Sequence, residues 1–266
     1  DDSEELHKIK SIRVWGEKDL PPLKATKKVF ISMPKYDKKS QLYSIEEKRK
    51  WRSRHEKMLE SGKKSKYRLL PVTALDDAGL EETVPLSRLF RSERDDALKE
   101  GLAFHEVMDR VVSMGTENVT SVVERVCTDL DILDKKESVY ELVKKAINST
   151  VLKEALSSSR IFTEVPFIVP YKRDLISGRI DLLYEKDNMW VLVDYKTDRV
   201  DKRDVEERMK DYRLQAGLYT MALNRFVGLK VSRVVFYFVR PDHCVSMEST
   251  GELVDWALER LEKGSS

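Results

Sequence analysis

The sequence predicts an α/β domain: a mixed central sheet flanked by helices, carrying a helical insertion and preceded by a basic N-terminal arm. Three observations predict it. From residue 92 apolar residues recur at helical spacing, whereas residues 161–195 hold three runs rich in β-branched and aromatic residues. A helical stretch separates those runs from a fourth one like them, an order that places helices against a sheet. The third observation is charge. The net value of +2 conceals residues 24–68, where 16 Lys/Arg stand against 5 Asp/Glu, a balance of +11. Residues 1–23 have 4 against 6, which leaves −7 for residues 69–266.

Along the chain, residues 1–43 lack periodicity and are interrupted by Pro21-Pro22 and Pro34, as expected of an extended arm. Ser44 followed by Glu46-Glu47 starts a helix that runs to Ser61-Gly62. Residues 67–75 form a short apolar passage. Leu98, Leu102, Phe104, Val107, Met108, Val111 and Val112 make a broad helical stripe, and further helices are predicted at 118–130, 137–148 and 150–157. Strands follow at 161–169, 175–184 and 190–195, then one long helix over 205–226, a strand at 232–239 and a last helix over 251–261. The expected division is a connector over 1–66 and a folded domain over 67–266.

Composition narrows the function classes. Of 266 residues, 41% are apolar and 36% charged, enough for a core in a very polar chain. No apolar run approaches the roughly 20 residues that span a bilayer, and no signal peptide opens the chain, so no membrane partner is expected. Two cysteines provide neither a disulfide framework nor four thiolate ligands, and a cytoplasmic setting is expected. The chain starts at Asp1 without methionine and is expected to be a piece of a longer protein. The basic arm interleaves its lysines and arginines with Tyr36, Tyr43, Trp51 and Tyr67, which suits a phosphate backbone and stacked bases as well as a solvated connector.

The chemistry concentrates in Gly178-Arg179-Ile180-Asp181 and Asp194-Tyr195-Lys196-Thr197. On a strand, Asp194 and Lys196 point the same way. Asp187-Asn188 can close a two-residue hairpin in which 186 faces 189, and in that register 181 faces 194. Opposed carboxylates repel unless a proton or cation lies between them, so two acids with a lysine suggest a divalent-metal site for phosphate chemistry. His105, in Gly101-Leu102-Ala103-Phe104-His105, would add an imidazole ligand or remain an ordinary helix histidine; Gly101 suggests close packing there. Tyr212, Gln215 and Tyr219 share a helix face, where they either bond to phosphate or bases or cover the sheet. Glu164 is a further acid within reach of the site or a strand-end glutamate.

Taken in order, G-x-x-x-H (101–105), G-R-I-D (178–181), D-Y-K-T (194–197) and Q-x-x-x-Y (215–219) resemble the RecB-like branch of the PD-(D/E)XK nucleases. This is the C-terminal nuclease domain of AddA- and RecB-type helicase–nucleases, and the resemblance covers about residues 67–245. It implies a restriction-endonuclease-like core. It makes His105, Asp181, Asp194 and the Tyr195 carbonyl ligands of Mg2+, with Mn2+ as a substitute, and Lys196 the catalytic lysine. Gln215 and Tyr219 would support the site and bind DNA, and Glu164 would assist. Some relatives carry a four-cysteine iron–sulfur cluster, which two cysteines exclude here. The implied partners are single-stranded DNA or an unwound duplex end, an upstream helicase domain of the same polypeptide and a second helicase–nuclease subunit. The chain has no G-x-x-x-x-G-K-[ST] loop, so an ATPase would lie outside it. The implied activity is a Mg2+-dependent exonuclease in DNA repair and recombination. The alternative is a nuclease fold that binds DNA without cutting it.

Overall fold

The computed structural model describes residues 30–31, 68–74, 92–115, 118–172 and 174–263. The helix expected over 44–62 and the boundary expected at 66/67 lie outside them. Seven strands form one mixed sheet: β1 (Phe30–Ile31), β2 (Arg68–Pro71), β3 (Ile161–Tyr171), β4 (Asp174–Lys186), β5 (Met189–Lys196), β6 (Val231–Phe238) and β7 (His243–Glu248). Four helices precede β3: α1 (Ser92–Met114), α2 (Val119–Asp129), α3 (Lys136–Asn148) and α4 (Thr150–Leu156). After β5 come α5 (Val205–Arg208) and α6 (Arg213–Met221), and α7 (Gly251–Lys263) follows β7. Two residues of the expected arm therefore join the sheet, Phe30 pairing with Ile168 and Ile31 with Phe167.

β3, β4 and β5 form an antiparallel meander. Its second turn is the predicted one: Asp187 (φ 52°) and Asn188 (φ 60°) both occupy the left-handed region, which a two-residue turn of this hand requires and which Asn and Asp tolerate. The register is also as predicted, from Lys186↔Met189 down to Leu182↔Val193. There the β4–β5 ladder stops. Beyond it β4 pairs with β2 in parallel (Arg68↔Asp174 to Pro71↔Ser177), while β5 continues beside β6, also in parallel (Asp194↔Phe236, Lys196↔Phe238). The sheet is thus forked, and Asp181 stands at the fork.

One core layer packs α6, α7 and the intervening turns against Ile176, Ile180, Leu192, Phe236 and Phe238; the other packs α1–α4 against Leu182, Tyr184, Val193 and Tyr237. On β4 the even-numbered residues change layer between Ile180 and Leu182. Strict alternation would keep them on one side, so β4 twists at Asp181. β3 does the same opposite it. Thr163 pairs with Leu182 and Val165 with Ile180, but the intervening Glu164 has φ 53° and makes no ladder pair.

The stretch expected as a single helix over 205–226 is interrupted. A tighter turn occupies Met209–Tyr212 and a π-helical turn Ala222–Val227, capped by Gly228 at φ 82°. Tyr212 ends the tighter turn with φ −98° and ψ 1°, its ring stacked on Phe236 at 5.4 Å and its hydroxyl donating to Asp198. Those contacts hold it off helical geometry. β7 has no counterpart in the sequence-based expectation because its residues alternate between exposed and half-buried and present no continuous apolar signal.

Candidate active site

Five elements deliver the side chains at the fork. α1 brings His105 from one layer, β3 brings Glu164, β4 brings Asp181, the end of β5 brings Asp194 and Lys196, and α6 brings Gln215 and Tyr219 from the other layer. Three glycines permit the approach. A Cβ on Gly101 would lie 3.0 Å from Thr197 Oγ1, which accounts for the packing expected at that turn of α1. A Cβ on Gly178 would lie 2.5 Å from Phe167 Cζ and 3.1 Å from Tyr219 Cε1, so only glycine leaves room for the Tyr219 ring over β4. The third, Gly217, lets α6 settle onto α7, with a Cβ position only 2.4 Å from Ala257 Cβ.

Two groups of residues result. In the first, ligand atoms of His105, Glu164 and Asp181 all lie within 4.8 Å of one another. His105 Nδ1 is 3.3 Å from Asp181 Oδ1 and 4.0 Å from Glu164 Oε1. Asp181 Oδ2 accepts the Tyr195 N–H at 2.7 Å, so a side chain takes the backbone donor where the ladder has ended. Burial disfavours the imidazolium, but Asp181 and Glu164 outweigh it and hold the His105 pKa up at about 9. Burial and then the Asp181 charge push Glu164 up to about 7, against the pull of His105 and Arg179. Asp181 is itself desolvated, yet His105, the Tyr195 N–H and Lys196 bring it below the usual carboxylate range.

The second group centres on Asp194 and is hydrogen-bonded throughout. Gln215 Nε2 donates to Asp194 Oδ1 and to the Tyr219 hydroxyl, both at 2.8 Å, and Gln215 Oε1 accepts from Lys196 Nζ at 2.9 Å. Tyr219 in turn donates to the Arg179 carbonyl at 2.9 Å. Lys196 Nζ lies 2.6 Å from Asp194 Oδ2 and 4.1 Å from the centre of the Tyr212 ring, a cation–π contact. Asp194 Oδ2 is buried, with the Lys196 ammonium as its partner. Burial lifts Asp194 to about 6, with Lys196 opposing and the nearby Asp181 reinforcing the rise.

Every residue expected at the site is therefore at or beside the fork, with a different division of labour. Expectation grouped Asp181 with Asp194; the closest grouping around His105 is Asp181 with Glu164, while Asp194 faces Lys196 and Gln215. The expected 181↔194 opposition is the first pair beyond the end of the ladder. The Tyr195 ring packs with Phe104 and Tyr237, and its N–H donates to Asp181 Oδ2. The sequence reading assigned no role to Arg179, whose Nη1 donates to Glu164 Oε2 at 3.1 Å. Its position two residues before Asp181 was the available signal.

The donor set suits a hard divalent cation: two carboxylates and an imidazole converge, Asp194 adjoins them, and burial disfavours uncompensated negative charge here. What the arrangement can do is hold such an ion between acids and present an ammonium, Lys196, next to it.

Comparison with known proteins gives the same direction. A model of the PD-(D/E)XK nuclease superfamily matches residues 81–263. Among similar proteins is the A subunit of an ATP-dependent helicase/nuclease from Ruminiclostridium cellulolyticum, 29% identical over 182 residues, or 59% of this chain and 13% of that protein. Proteins of the same description from Thermoanaerobacter and Clostridium kluyveri are 29% and 33% identical over 53% and 42% of the chain. Those alignments cover 13% and 10% of the relatives' lengths, so the chain spans a small part of each.

Proposed function

Since the chain belongs to the PD-(D/E)XK nuclease superfamily, we propose that it is a metal-dependent DNA nuclease that hydrolyses phosphodiester bonds from the ends of single strands. Its mixed sheet between two helical layers is the restriction-endonuclease-like core of that superfamily. The observation that carries the reading is the double grouping at the fork. A cluster of His105, Glu164 and Asp181 adjoins an Asp194–Lys196 pair braced by Gln215 and Tyr219. A structural ion pair would need no second cluster of acids around it.

In this reading His105, Glu164, Asp181 and Asp194 hold Mg2+, with the Tyr195 carbonyl completing the set and Mn2+ able to substitute. Mg2+ bound there supplies Lewis acidity toward the phosphate and acidifies its own water. The chain's residues do the rest. Lys196, held by Asp194, Gln215 and the Tyr212 face, keeps its ammonium aimed at the fork, where it stabilises charge developing on the phosphate and orients the attacking water. Gln215 commits both amide N–H donors and its carbonyl oxygen to this placement, so Lys196 and Asp194 are set before substrate arrives.

The helicase/nuclease names of the similar proteins support the wider setting. In it, residues 1–66 connect the nuclease to a helicase in the same polypeptide, a second helicase–nuclease subunit is a partner, and the enzyme works in DNA repair and recombination in the cytoplasm. Among the described residues no helix is long and apolar enough to cross a membrane.

The test is degradation of an end-labelled single-stranded oligonucleotide by the purified chain with Mg2+ or Mn2+, stopped by EDTA. Asp194→Ala and Lys196→Ala should each slow cleavage by about 100-fold or more, on the order of an electrostatic catalytic group. Unchanged rates in both would refute the assignment, and retained DNA binding with no cleavage under any divalent ion would indicate an inactive binding module.

A further inference from the structure

We propose that Arg179 is a phosphate-binding residue of the site, gripping a backbone phosphate of the DNA strand beside the carboxylates. The proposal deepens the nuclease reading above and rests on it. Arg179 and Asp181 are two apart on β4, and the Arg179 side chain leans toward Glu164, where Nη1 donates to Oε2 at 3.1 Å. Exposure separates it from its surroundings. Its side chain is 42% exposed, against 10% for Glu164, 11% for Asp181 and 13% for Lys196.

The anchor is firm at both ends of the residue. The Arg179 carbonyl accepts the Tyr219 hydroxyl at 2.9 Å, so its backbone is tied to the network that positions Asp194. The Glu164 contact uses one of five guanidinium N–H groups, and the others have no hydrogen-bond partner among the described residues. What remains is a planar fork of donors facing solvent at the rim of an acid cluster, a shape that matches phosphate oxygens.

Charge makes the assignment more specific. A DNA strand brings one negative charge per nucleotide, so phosphates flanking the one at the metal and Lys196 need a cation of their own at the rim. Lys196 is nearly buried and already committed to Asp194, Gln215 and the Tyr212 ring. Arg179 is the cation that touches the carboxylate cluster and still has donors to offer among the described residues. The competing account is that Arg179 only neutralises Glu164. The two accounts differ in what DNA feels. A phosphate contact releases a counterion on binding, whereas a neutraliser does not.

The experiment is binding of a fluorescent single-stranded oligonucleotide to the full chain, in EDTA and again with Ca2+, across a salt series, with melting temperatures run alongside. Arg179→Gln should weaken binding and reduce the slope of log K against log[salt] by about 0.7, the value for one phosphate contact on a single strand. Arg179→Lys should restore the slope and part of the affinity, since it keeps the charge and loses the fork. The double variant Glu164→Gln/Arg179→Gln removes both partners, so an unpaired buried carboxylate cannot produce the effect; it too should show the smaller slope. An unchanged slope in both glutamine variants would overturn the proposal and leave Arg179 as a neutraliser. That outcome differs from failure of the nuclease reading, which would appear as wild-type protein that binds DNA with the normal slope and never cuts it.

Discussion

Replacing Gly217 with alanine sets two physical effects against each other. Gly217 lies inside α6 with fully buried neighbours, Ala216 and Leu218. Alanine is the better helix former by about 1 kcal/mol, so propensity alone predicts stabilisation. Packing predicts the reverse. The new Cβ would lie 2.4 Å from Ala257 Cβ and 2.8 Å from the Leu253 carbonyl oxygen. Both obstacles are on α7, and the second is backbone, which no rotamer change can relieve. Bringing the carbons to ordinary contact requires the helices to part by about 1 Å. Overpacking of this kind costs about 1–3 kcal/mol, and rigid obstacles place it near the upper end. After the helical gain the net loss is about 2 kcal/mol. For a domain of this size that lowers the melting temperature by about 4–8 °C. Urea denaturation and thermal melts of Gly217→Ala, Ala257→Gly and the double variant measure it directly. The double variant removes the shorter clash and keeps the carbonyl one, so it should show a favourable coupling of about 1 kcal/mol. A Gly217→Ala protein as stable as wild type, or more so, would refute the close approach of α6 to α7.

Gln215→Leu keeps most of the side-chain volume and removes three hydrogen bonds, two of them to charged groups. Because Lys196 and Asp194 retain each other, the expected loss in single-turnover cleavage is about 2–3 kcal/mol, roughly 30–150-fold, with little change in DNA affinity; a rate within about twofold of wild type would show that Lys196 needs no brace. The metal-free protein should also lose stability as pH rises. The folded-state pKa values of Asp194, Glu164 and His105, at about 6, 7 and 9, all exceed their unfolded values, so folding takes up protons. Their contribution is complete below the unfolded values and is lost as pH climbs through 6, 7 and then 9. Asp181, shifted down, acts oppositely at the acid end, its contribution fading as pH falls below the ordinary carboxylate value. Divalent metal needs deprotonated ligands, so stabilisation by Mn2+ should grow over the same window. Melting curves from about pH 5 to 9 in EDTA and in Mn2+ check both trends, and the slope in EDTA should flatten in His105→Ala.

Much of this was legible in the residues because it is local. Asp187-Asn188 carries its own turn chemistry, and with it the β4–β5 register down to Val193. The helices before β3 announce themselves through apolar spacing. What escaped was non-local or irregular. β2 meets β4 across more than a hundred residues, with no pattern in Arg68–Pro71 to name its partner. Strict alternation is what places Asp181 and Asp194 on one face, and alternation fails where β3 and β4 twist together. Glu164 could be noticed as an acid, but its left-handed backbone is unusual for glutamate and is a product of tertiary context. The helix break at Tyr212 likewise depends on Phe236 and Asp198, neither of them near it in sequence.

The fork also bears on the order in which the protein assembles. Glu164, Asp181 and Asp194 all come from one antiparallel meander spanning residues 161–196, so short chain closures bring them together. His105 and Gln215 come from outside it, the first through the long span between α1 and β3. Contacts of small sequence separation form sooner than distant ones. The acids therefore gather early, as a knot of mutual repulsion, and the imidazole that quiets them arrives later, from the more distant α1. A nascent chain holds its most charged corner open until then, and a divalent ion captured at that stage would help close it.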